Sequence, residues 1–422
     1  MQWIATRAAG QARLADFLPR AGGAYANSRN HDDGVLARTA SSAGFRRNVS
    51  QLSPWLHAGL LSEAEVLDAV LSQHSANAAD KFIAEVFWRI YFKGYLEQRP
   101  TIWRSYCEGR DRALDTLAAN AGLRAAYTEA VEGRTGIAAF DHWARELVET
   151  GYLHNHARMW FASIWIFTLK LDWHLGADFF AAHLVDGDAG SNTLSWRWVG
   201  GLHTKGKTYL ARADNIARYT ANHPDGPLAA SRLAPQAEPL TEPRDHPRQP
   251  LALPEAPWAD AFDAPFALIL HDEAASHEPL ALAAVPSLVI GAARPDARTP
   301  GEVGEPARHF AKDAVAAGCA EASAAYGCAS ASWTPQERLA DLLDDAGIER
   351  VVIPYLPTGW TRDALLPELA PLIEDGRAVV VLSDLSRTTW PHARAGFFGV
   401  KKAIPSILGE LGINGIALDA AQ

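Results

Sequence analysis

The chain has 422 residues, which at about 100 to 200 residues per domain predicts two or three domains. Hydrophobic residues make up 48% and charged residues 21%, an ordinary globular balance, and no apolar run reaches the roughly 18 to 20 residues of a membrane helix. The net charge of -10 argues against a broadly basic coat for nucleic acid, and three cysteines are too few for a disulfide framework or an iron–sulfur cluster. Because the N-terminus also lacks the apolar core of a secretory signal, we expect a cytoplasmic protein.

Apolar residues recur at helical spacing through residues 1–222, which predicts a helical domain. Lys81–Glu97 is the clearest helix of this region. The almost wholly apolar stretch His154–Leu175 predicts a longer helix that lies in the core. Ser62 is expected to cap a further helix, with Glu65 completing a capping box.

Nine prolines fall between His223 and Pro257. Proline lacks the backbone N–H of a regular helix, so this density predicts an extended linker over residues 223–258. Both the composition and the periodicity change on either side of it.

Short apolar runs beyond the linker alternate with helical segments, the pattern of a Rossmann-like parallel α/β domain over residues 259–422. No Gly-rich phosphate-binding motif follows any of the runs, so nothing supports a dinucleotide or Walker-type site. The predicted strands are Phe266–His271, Ser287–Gly291, Val351–Pro354 and Ala378–Leu382, and the predicted helices between them are Pro335–Gly347 and Arg362–Glu374.

The densest group of polar residues lies between positions 151 and 207. Asp186 and Asp188 flank Gly187, which permits a tight turn between two carboxylates. Taken alone, this pattern is more often a solvated turn, and the segment lacks the regularly spaced oxygens and late glutamate of a calcium loop.

Two upstream segments are equally ambiguous when each is taken alone. Ser50 and Ser53 lie just before a predicted helix, where backbone N–H groups suit either a phosphate or a plain helix cap. Glu85 and Arg89 are four residues apart on one predicted helix, with Trp88 between them, which fits either a functional site or an intrahelical ion pair beside a core tryptophan.

Taken together and in order, these segments resemble the FAD-binding domain of the DNA photolyase and cryptochrome family. Eight ordered motifs between Tyr25 and Trp198 carry the resemblance. It implies an all-helical domain that holds FAD in a U-shaped conformation. The motifs are Tyr25, NVSQLSPWL (residues 48–56), EVFWRIYF (85–92), GRTG (133–136), TGYLHNHARM (150–159), LDW (171–173), DGDAGSN (186–192) and WRW (196–198).

The resemblance also implies which residues contact FAD. Arg158 and Asp186 would form a buried ion pair beside the isoalloxazine, and Asn192 would face flavin N5, where a neutral amide can accept from N5–H. The residues expected at the phosphates are Tyr25, Val49, Ser50, Gln51, Leu52 and Ser53. Those expected at the ring and ribityl chain are Phe82, Glu85, Arg89, Asn155, Arg158, Asp186, Gly187, Asp188 and Asn192.

A further set matches the residues that contact a cyclobutane pyrimidine dimer in the repair enzymes of this family: Glu85, Trp88, Asn155, Met159 and Trp198. A flipped-out dimer would stack on Trp88 and Trp198, while Glu85 and Asn155 hydrogen-bond its edges. Light-excited reduced flavin would then donate the electron that splits the ring and recover it afterwards. Asn155 stands where the branch that repairs (6-4) photoproducts typically has a second histidine, which favours dimer repair.

The residues for electron supply depart from the family pattern. Trp196 and Trp173 are expected to be the proximal and middle members of a photoreduction chain. Ala130 stands where the distal tryptophan is usual, and Trp160, Trp165 or Tyr152 could take its place.

The residues for DNA contact also depart from the pattern. His156 replaces an arginine that usually meets a DNA phosphate. We expect a local basic patch of Arg89, Lys93, Lys205 and Lys207 to contact phosphates, and the alternative for these four is a solvated surface.

Most members of the family place an α/β antenna domain before the FAD domain, whereas here the α/β region follows it. We therefore expect a circularly permuted, antenna-like domain whose chromophore the sequence does not identify. The first functional hypothesis is a light-driven cyclobutane-dimer photolyase that acts as a monomer on damaged single- or double-stranded DNA. The alternatives are a cryptochrome-like photoreceptor that binds FAD without repair, and a flavoprotein that serves only as a binding module. No metal site is expected, since Cys319 and Cys328 have no histidine cluster beside them.

Overall fold

The computed structural model describes residues 3–34, 45–255 and 262–414. The domain boundary expected at residue 258 lies outside these ranges. Up to residue 219 the described chain is helical, as predicted, and no described helix has the length and apolar character to cross a membrane. The α-helices of this region are α1 (Arg7–Phe17), α2 (Gly23–Ser28), α3 (Ser53–His57), α4 (Glu63–Gln73), α5 (Asp80–Glu97), α6 (Pro100–Ala119), α7 (Ala121–Val131), α8 (Ala138–Thr150), α9 (Asn155–Ser163), α10 (Trp173–His183), α11 (Ala189–Val199) and α12 (Ala213–Tyr219).

Two local predictions in the helical region are confirmed. Helix α5 covers the predicted Lys81–Glu97 and begins one residue earlier, at Asp80. Helix α4 begins with the predicted capping box, in which the Glu65 N–H donates to Ser62 Oγ at 3.1 Å and the Ser62 N–H donates to Glu65 Oε2 at 2.9 Å. The box satisfies two backbone donors that the first turn would otherwise leave without partners.

The single helix predicted over His154–Leu175 is wrong. One π-helical turn over Ile164–Thr168 ends the first helix, and Lys170 then adopts a left-handed conformation with φ of 56°. Helix α10 begins after Asp172, whose side chain accepts a backbone N–H of its first turn. Helix α9, the π-turn and α10 are all packed in the core, so the segments on both sides of the break are apolar. The apolar pattern alone therefore does not show where the first helix ends.

The proline-rich segment contains no helix or strand between residues 223 and 255, and it lies along the helical domain. The Leu240 N–H donates to the Gly200 carbonyl at 2.9 Å, and the Gln249 N–H donates to the Gln98 carbonyl at 2.8 Å. Arg197 forms an ion pair with Glu242 of this segment. These bonds tie the linker to the surface that it crosses.

Beyond the linker a five-stranded parallel sheet forms, in the order β3-β2-β1-β4-β5. Leu268 of the central strand pairs with Val289 on one side and Val352 on the other. The elements are β1 (Phe266–His271), β2 (Leu288–Ala292), α13 (Glu305–Tyr326), β3 (Ala329–Ser332), α14 (Leu339–Ala346), β4 (Arg350–Pro354), α15 (Trp360–Glu374), β5 (Ala378–Val381), α16 (Asp384–Thr389) and α17 (Phe398–Glu410). The predicted parallel α/β region is therefore confirmed.

Two details of the α/β region differ from the sequence-based expectation. Strand β3 was not predicted, because its residues are small and mostly exposed and show no apolar alternation. Helix α14 begins at Leu339, later than the predicted start at Pro335. The other four strands lie within one residue of their predicted bounds.

The strand order reverses between β1 and β4, and open α/β sheets bind ligands outside the carboxyl ends of their strands at this point. Here that edge faces the helical domain. The Tyr355 hydroxyl, in the loop after β4, donates to Glu97 of α5 at 2.8 Å, and the Ala275 N–H, after β1, donates to the Ala58 carbonyl at 2.7 Å. One hydrophobic cluster includes buried residues of both regions, so their cores are continuous.

Candidate functional site

The Asp186-Gly187-Asp188 turn joins α10 to α11 and is held from both domains. Asp188 caps α11, because its Oδ1 accepts the Ser191 N–H at 2.7 Å. From the α/β region, Trp360 Nε1–H donates to the Gly187 carbonyl at 3.0 Å. Arg298 lies so close that a Cβ on Gly187 would be 2.8 Å from its Nη1. A side chain at position 187 would therefore require the Arg298 guanidinium to move.

Asp186 forms the ion pair that the resemblance implies. Arg158 Nη2 lies 3.0 Å from Asp186 Oδ2, and the Asp186 side chain is 4% exposed. Burial alone raises the pKa of this carboxyl, but the Arg158 guanidinium, together with Ser53 and Arg89, outweighs burial and brings the pKa below its ordinary value. Asp186 Oδ1 has no hydrogen-bond partner among the described residues. The carboxylate is thus charged and keeps one buried oxygen for a ligand.

Asp188 has a different environment, because cations of α5 surround it. Its Oδ2 lies 3.3 Å from Arg89 Nη2, 3.4 Å from Lys93 Nζ and 3.7 Å from His57 Nδ1. Although burial raises its pKa, Lys93 and Arg89 hold the Asp188 pKa well below the ordinary value. Glu273, from the loop after β1, binds the same Lys93 at 2.7 Å. Four charged side chains from both domains therefore neutralise one another inside the protein.

This cluster includes Arg89, which is expected to contact a DNA phosphate. The Arg89 guanidinium is 11% exposed and is held by Glu63 at 3.1 Å and by Asp188. The Arg89 guanidinium is thus engaged by two carboxylates. The Lys93 side chain is 16% exposed and pairs with Glu273 and Asp188. Both cations therefore have carboxylate partners within the protein.

The segment expected at the FAD phosphates is fixed by Arg13. Arg13 Nε–H donates to the Ser50 carbonyl at 2.7 Å, and Arg13 Nη2–H donates to the Val49 carbonyl at 2.8 Å. Gln51 has a φ of 52°, in the left-handed region, and its buried Nε2 has no partner within the described ranges. Leu52 is buried, and Ser53 is the first residue of α3. The backbone of this segment is thus held in an unusual conformation.

The two expected aromatic contacts of FAD lie against each other. The Tyr25 and Phe82 rings are 5.3 Å apart at 82°, an edge-to-face contact, and both are buried. Asn192, on α11, is half-buried, and its Nδ2–H donates to the Ala177 carbonyl at 2.8 Å. This bond leaves Asn192 Oδ1 as the atom that can accept from a ligand, as expected for the residue facing flavin N5.

The five residues expected at the substrate lie on three helices, α5, α9 and α11, and α11 packs against the other two. These five residues are Glu85, Trp88, Asn155, Met159 and Trp198. Each of them keeps exposed surface, although most of the residues next to them in the helices are buried. Glu85 forms an ion pair with Arg29 of the chain after α2. Burial raises the Glu85 pKa, and Arg29 only partly offsets this effect.

Both expected substrate tryptophans already have stacking partners. Trp88 lies parallel to Phe397, just before α17, with ring centroids 4.0 Å apart and planes at 16°. Trp198 stacks on Tyr209 at 5.6 Å and 28°. The α/β region thus covers one face of Trp88. This contact could not be predicted from the sequence, although Phe397 belongs to the conspicuous GFFG segment of residues 396–399.

The tryptophan contacts favour one of the three possible distal residues. Trp196 is buried, and its ring centroid lies 6.2 Å from that of Trp165. The Trp165 ring centroid in turn lies 5.9 Å from that of Tyr127, a half-buried residue of α7. Trp173, the expected middle member, has its ring contacts with Tyr106 at 5.8 Å and with His174 at 4.1 Å. Trp165 therefore extends the aromatic contacts of Trp196 toward the surface.

The remaining residues of the expected DNA surface differ in exposure. Lys205 and Lys207 are exposed, and Lys205 pairs with Asp245 of the linker at 2.6 Å. Exposed pairs of this kind are weak and screened by salt. His156 has its Nδ1 3.0 Å from the Asn30 carbonyl, and burial lowers its pKa. His156 is therefore neutral near pH 7 and does not replace the charge of an arginine.

Sequence reasoning missed the site residues that the α/β region contributes: Glu273, Arg298, Trp360 and Phe397. None of them lies in a motif of the helical domain. The only available signals were an Asp-Glu pair directly after a buried strand and a tryptophan at the start of α15. His57 and Arg29 were also missed, because a lone histidine or arginine in a helical region carries no specific pattern.

Comparison with known proteins gives a family match in the helical region. Residues 82–228 match the model described as the FAD-binding domain of DNA photolyase. The chain is 33% identical over 180 residues to a deoxyribodipyrimidine photo-lyase of Streptomyces griseus, covering 40% of this chain and 38% of that protein. It is 31% identical over 222 residues to a protein of the same name from Thermus thermophilus, covering 51% of this chain and 46% of that protein. The matched region spans less than half the length of either relative.

Among solved structures, a bacterial class III photolyase from Agrobacterium tumefaciens aligns with a TM-score of 0.41 and 26% identity, over 51% of this chain and 44% of that one. This TM-score is too low to support a structural argument. The matched residues 82–228 include both partners of the Arg158–Asp186 ion pair. We conclude that this matched region of the chain belongs to the DNA photolyase and cryptochrome family.

Proposed function

We propose that the chain is an FAD-dependent photolyase that uses light to repair cyclobutane pyrimidine dimers in DNA. The observation that supports the proposal is that five side chains suited to this substrate keep exposed surface on three helices that pack together. The five are Glu85, Trp88, Asn155, Met159 and Trp198, and their helices pack together through α11. Helix α11 carries Trp198 and begins at the Asp186-Gly187-Asp188 turn. The helix therefore connects residues expected at the substrate with residues expected at the flavin.

FAD fits the residues present, because the segments expected to contact it contain buried polar atoms without partners. Asp186 Oδ1 and Gln51 Nε2 are buried, and neither has a hydrogen-bond partner in the described part of the chain. A polar ligand that reached these two atoms would give them the partners that the protein does not supply. When bound, reduced FAD supplies the light-excited electron that opens the cyclobutane ring.

The protein side chains have three tasks in this reaction. Trp198 and Trp88 offer aromatic faces to an extruded dimer, and such stacking contributes about 1–3 kcal/mol per base. Glu85, with its raised pKa, holds a proton to higher pH than an ordinary glutamate and can donate it in a hydrogen bond to a pyrimidine carbonyl. Arg158 keeps Asp186 ionised and fixes its position beside the flavin site.

A second function, light sensing without repair, is supported by the stack of Phe397 on Trp88. A dimer that used the same face of Trp88 would have to displace Phe397. Arg89 and Lys93 are also paired with carboxylates, and His156 is neutral where a cation is usual, which further supports this second function. A photoreceptor of this family would need the flavin site and not the substrate slot.

The deciding experiment uses the flavin-loaded full-length chain, reduced chemically and illuminated with single-stranded DNA that contains thymine dimers. We expect loss of dimers in the light only, and a large loss of this activity in Glu85→Ala. Glu108→Ala, which removes an exposed carboxylate of α6, is the matched control. Full repair by Glu85→Ala would refute the substrate site. Bound flavin without repair would favour the photoreceptor, and failure to bind flavin would refute both functions.

We further propose that residues 259–422 are a permuted counterpart of the antenna-type α/β domain. Support comes from the parallel 3-2-1-4-5 sheet, whose ligand-binding edge faces the helical domain. A rearranged chain with residues 262–414 ahead of the helical domain should fold and bind the same flavin. Loss of folding in this chain, alongside a folded parent, would refute the permutation.

A further inference from the structure

Two histidines and an aspartate meet on the helical domain, outside the expected flavin and substrate residues. His142 lies on α8, and His223 and Asp225 lie just after α12. Asp225 Oδ2 is 3.6 Å from His142 Nδ1 and 3.8 Å from His223 Nδ1. The two imidazole rings stand perpendicular with centroids 4.7 Å apart, and the three ligand atoms all lie within 4.8 Å of one another.

We propose that His142, His223 and Asp225 bind one divalent transition-metal ion, for which Zn²⁺ is the best fit. Zinc bonds to nitrogen and oxygen are about 2.0–2.1 Å long, so tetrahedral ligands lie about 3.3 Å apart. The two measured separations from Asp225 Oδ2 exceed this value by only a few tenths of an ångström. Two imidazoles and one carboxylate form a common donor set of zinc sites, with water in the fourth position.

A separate observation supports the site, because a buried carboxylate oxygen approaches His142 from its other side. Glu146, one turn further along α8, has a side chain that is 9% exposed, and its Oε2 lies 3.8 Å from His142 Nε2. This oxygen has no hydrogen-bond partner among the residues described. A metal-bound histidine usually donates its other ring N–H to a carboxylate, which is the arrangement that these two residues offer.

Gly34 sets the orientation of His223. The backbone approaches this ring so closely that a Cβ on Gly34 would be 2.8 Å from His223 Nε2. His223 Nε2 therefore faces Gly34, and Nδ1 is left to face Asp225 and His142. In the absence of a metal, His223 Nδ1 accepts the Asp225 N–H at 3.2 Å, so metal binding must replace this long hydrogen bond. The Asp225 side chain is 67% exposed and can make the small adjustment.

The charge around the cluster also favours a dication. Glu146, Asp32 and Asp225 contribute three carboxylates, and the Arg46 guanidinium between Asp32 and Glu146 offsets only one of them. With both imidazoles bound to the metal as neutral ligands, two of these negative charges remain, and one Zn²⁺ would neutralise them. The ion would join α8 to the chain that leaves α12.

The experiment is metal analysis of the full-length, tag-free protein after dialysis against Zn²⁺ and then against metal-free buffer. We expect one zinc per chain and a higher Tm with Zn²⁺ than with a chelator. Asp225→Asn, on an exposed loop, and His142→Ala should each abolish the stoichiometric zinc and the Tm shift. His309→Ala, which removes an exposed histidine of α13, is the control and should keep both.

Substitution of cobalt gives a second readout, because tetrahedral Co²⁺ absorbs strongly in the visible region. Glu146→Gln should weaken zinc binding by about 10- to 100-fold, the usual effect of removing a carboxylate behind a metal-bound histidine. A folded parent that binds no zinc after dialysis would overturn the proposal. So would an unchanged zinc content in Asp225→Asn, which tests the site even if His142→Ala fails to fold.

Discussion

Asp186 and Asp188 stand two residues apart in one turn, and their surroundings give them different roles. Asp186 has one cationic partner and an unused buried oxygen, whereas Asp188 binds the Ser191 N–H, Arg89 and Lys93. The sequence predicts both carboxylates and, through the resemblance, the Arg158 pair. The partners of Asp188 across the domain interface could not be predicted, because they depend on how two distant segments pack.

A single buried carboxyl makes stability depend on pH. Burial raises the pKa of Asp272 from 3.8 to about 7, since only the Arg294 N–H donates to it at 2.6 Å. A raised pKa means that the folded state holds the proton more tightly than the unfolded state. Asp272 therefore contributes most stability below its unfolded pKa of 3.8, and this contribution is lost as pH rises toward 7.

We therefore expect Asp272→Asn to gain stability relative to the parent as pH rises, by up to about 1.4 kcal/mol per pH unit across this window. Chemical denaturation of both proteins between pH 4 and pH 7 measures the difference. Asp313→Asn, at an exposed carboxylate of α13, should show no such trend. A constant difference between Asp272→Asn and the parent would contradict the assigned pKa.

Trp165 is the residue on which we expect photoreduction to depend. It joins the buried Trp196 to the half-buried Tyr127 through ring contacts of 6.2 and 5.9 Å. Trp165→Phe should slow photoreduction of oxidised flavin several-fold, as measured by absorbance with an external reductant, because phenylalanine is much harder to oxidise. Repair by chemically reduced protein should not change. Trp143→Phe, at a buried tryptophan stacked on Trp160, is the control, and an equal effect of both variants would refute this route.

At the scale of secondary structure, prediction succeeds where a local signal exists. The capping box of Ser62 fixes the start of α4, and short apolar runs separated by helical segments identify four of the five strands. It fails where packing overrides the pattern. The break before α10 falls at Lys170–Asp172, between two apolar segments that are both packed in the core, and strand β3 is an exposed edge of small residues that pairs only with β2.

Phe397, just before α17, covers one face of Trp88 on α5, a residue expected to contact the substrate. Phe397→Leu keeps an apolar side chain and removes the ring that stacks on Trp88. We expect this variant to bind dimer-containing single-stranded DNA more tightly than the parent, as measured by quenching of tryptophan fluorescence. Phe398→Leu, at the adjacent ring that is 68% exposed, should bind as the parent does. Equal binding by all three proteins would mean that Phe397 does not compete with the substrate.

At the scale of the whole molecule, the two regions pack together around the Asp186-Gly187-Asp188 turn. Hydrophobic residues of both regions form one cluster, and the interface also contains the buried charges of Lys93 and Glu273. The sequence predicts two domains and the linker between them. It does not predict that the ligand-binding edge of the sheet would be covered by the helical domain, since a domain's own pattern does not specify what covers its surface.

Trp360 gives the test of this coupling, because its N–H supports the Gly187 carbonyl from the α/β region. Trp360→Phe removes that bond and should lower flavin affinity several-fold, measured by the fluorescence of released FAD. Trp333→Phe is the matched control, since Trp333 is equally buried and its N–H donates to the Glu337 carbonyl at 3.1 Å, within the α/β region. Each substitution removes one neutral hydrogen bond, so both should cost about 1 kcal/mol of unfolding free energy. Only the Trp360 bond reaches the turn that orients Asp186, so equal flavin affinity in the two variants would mean that the α/β region merely lies against the site without shaping it.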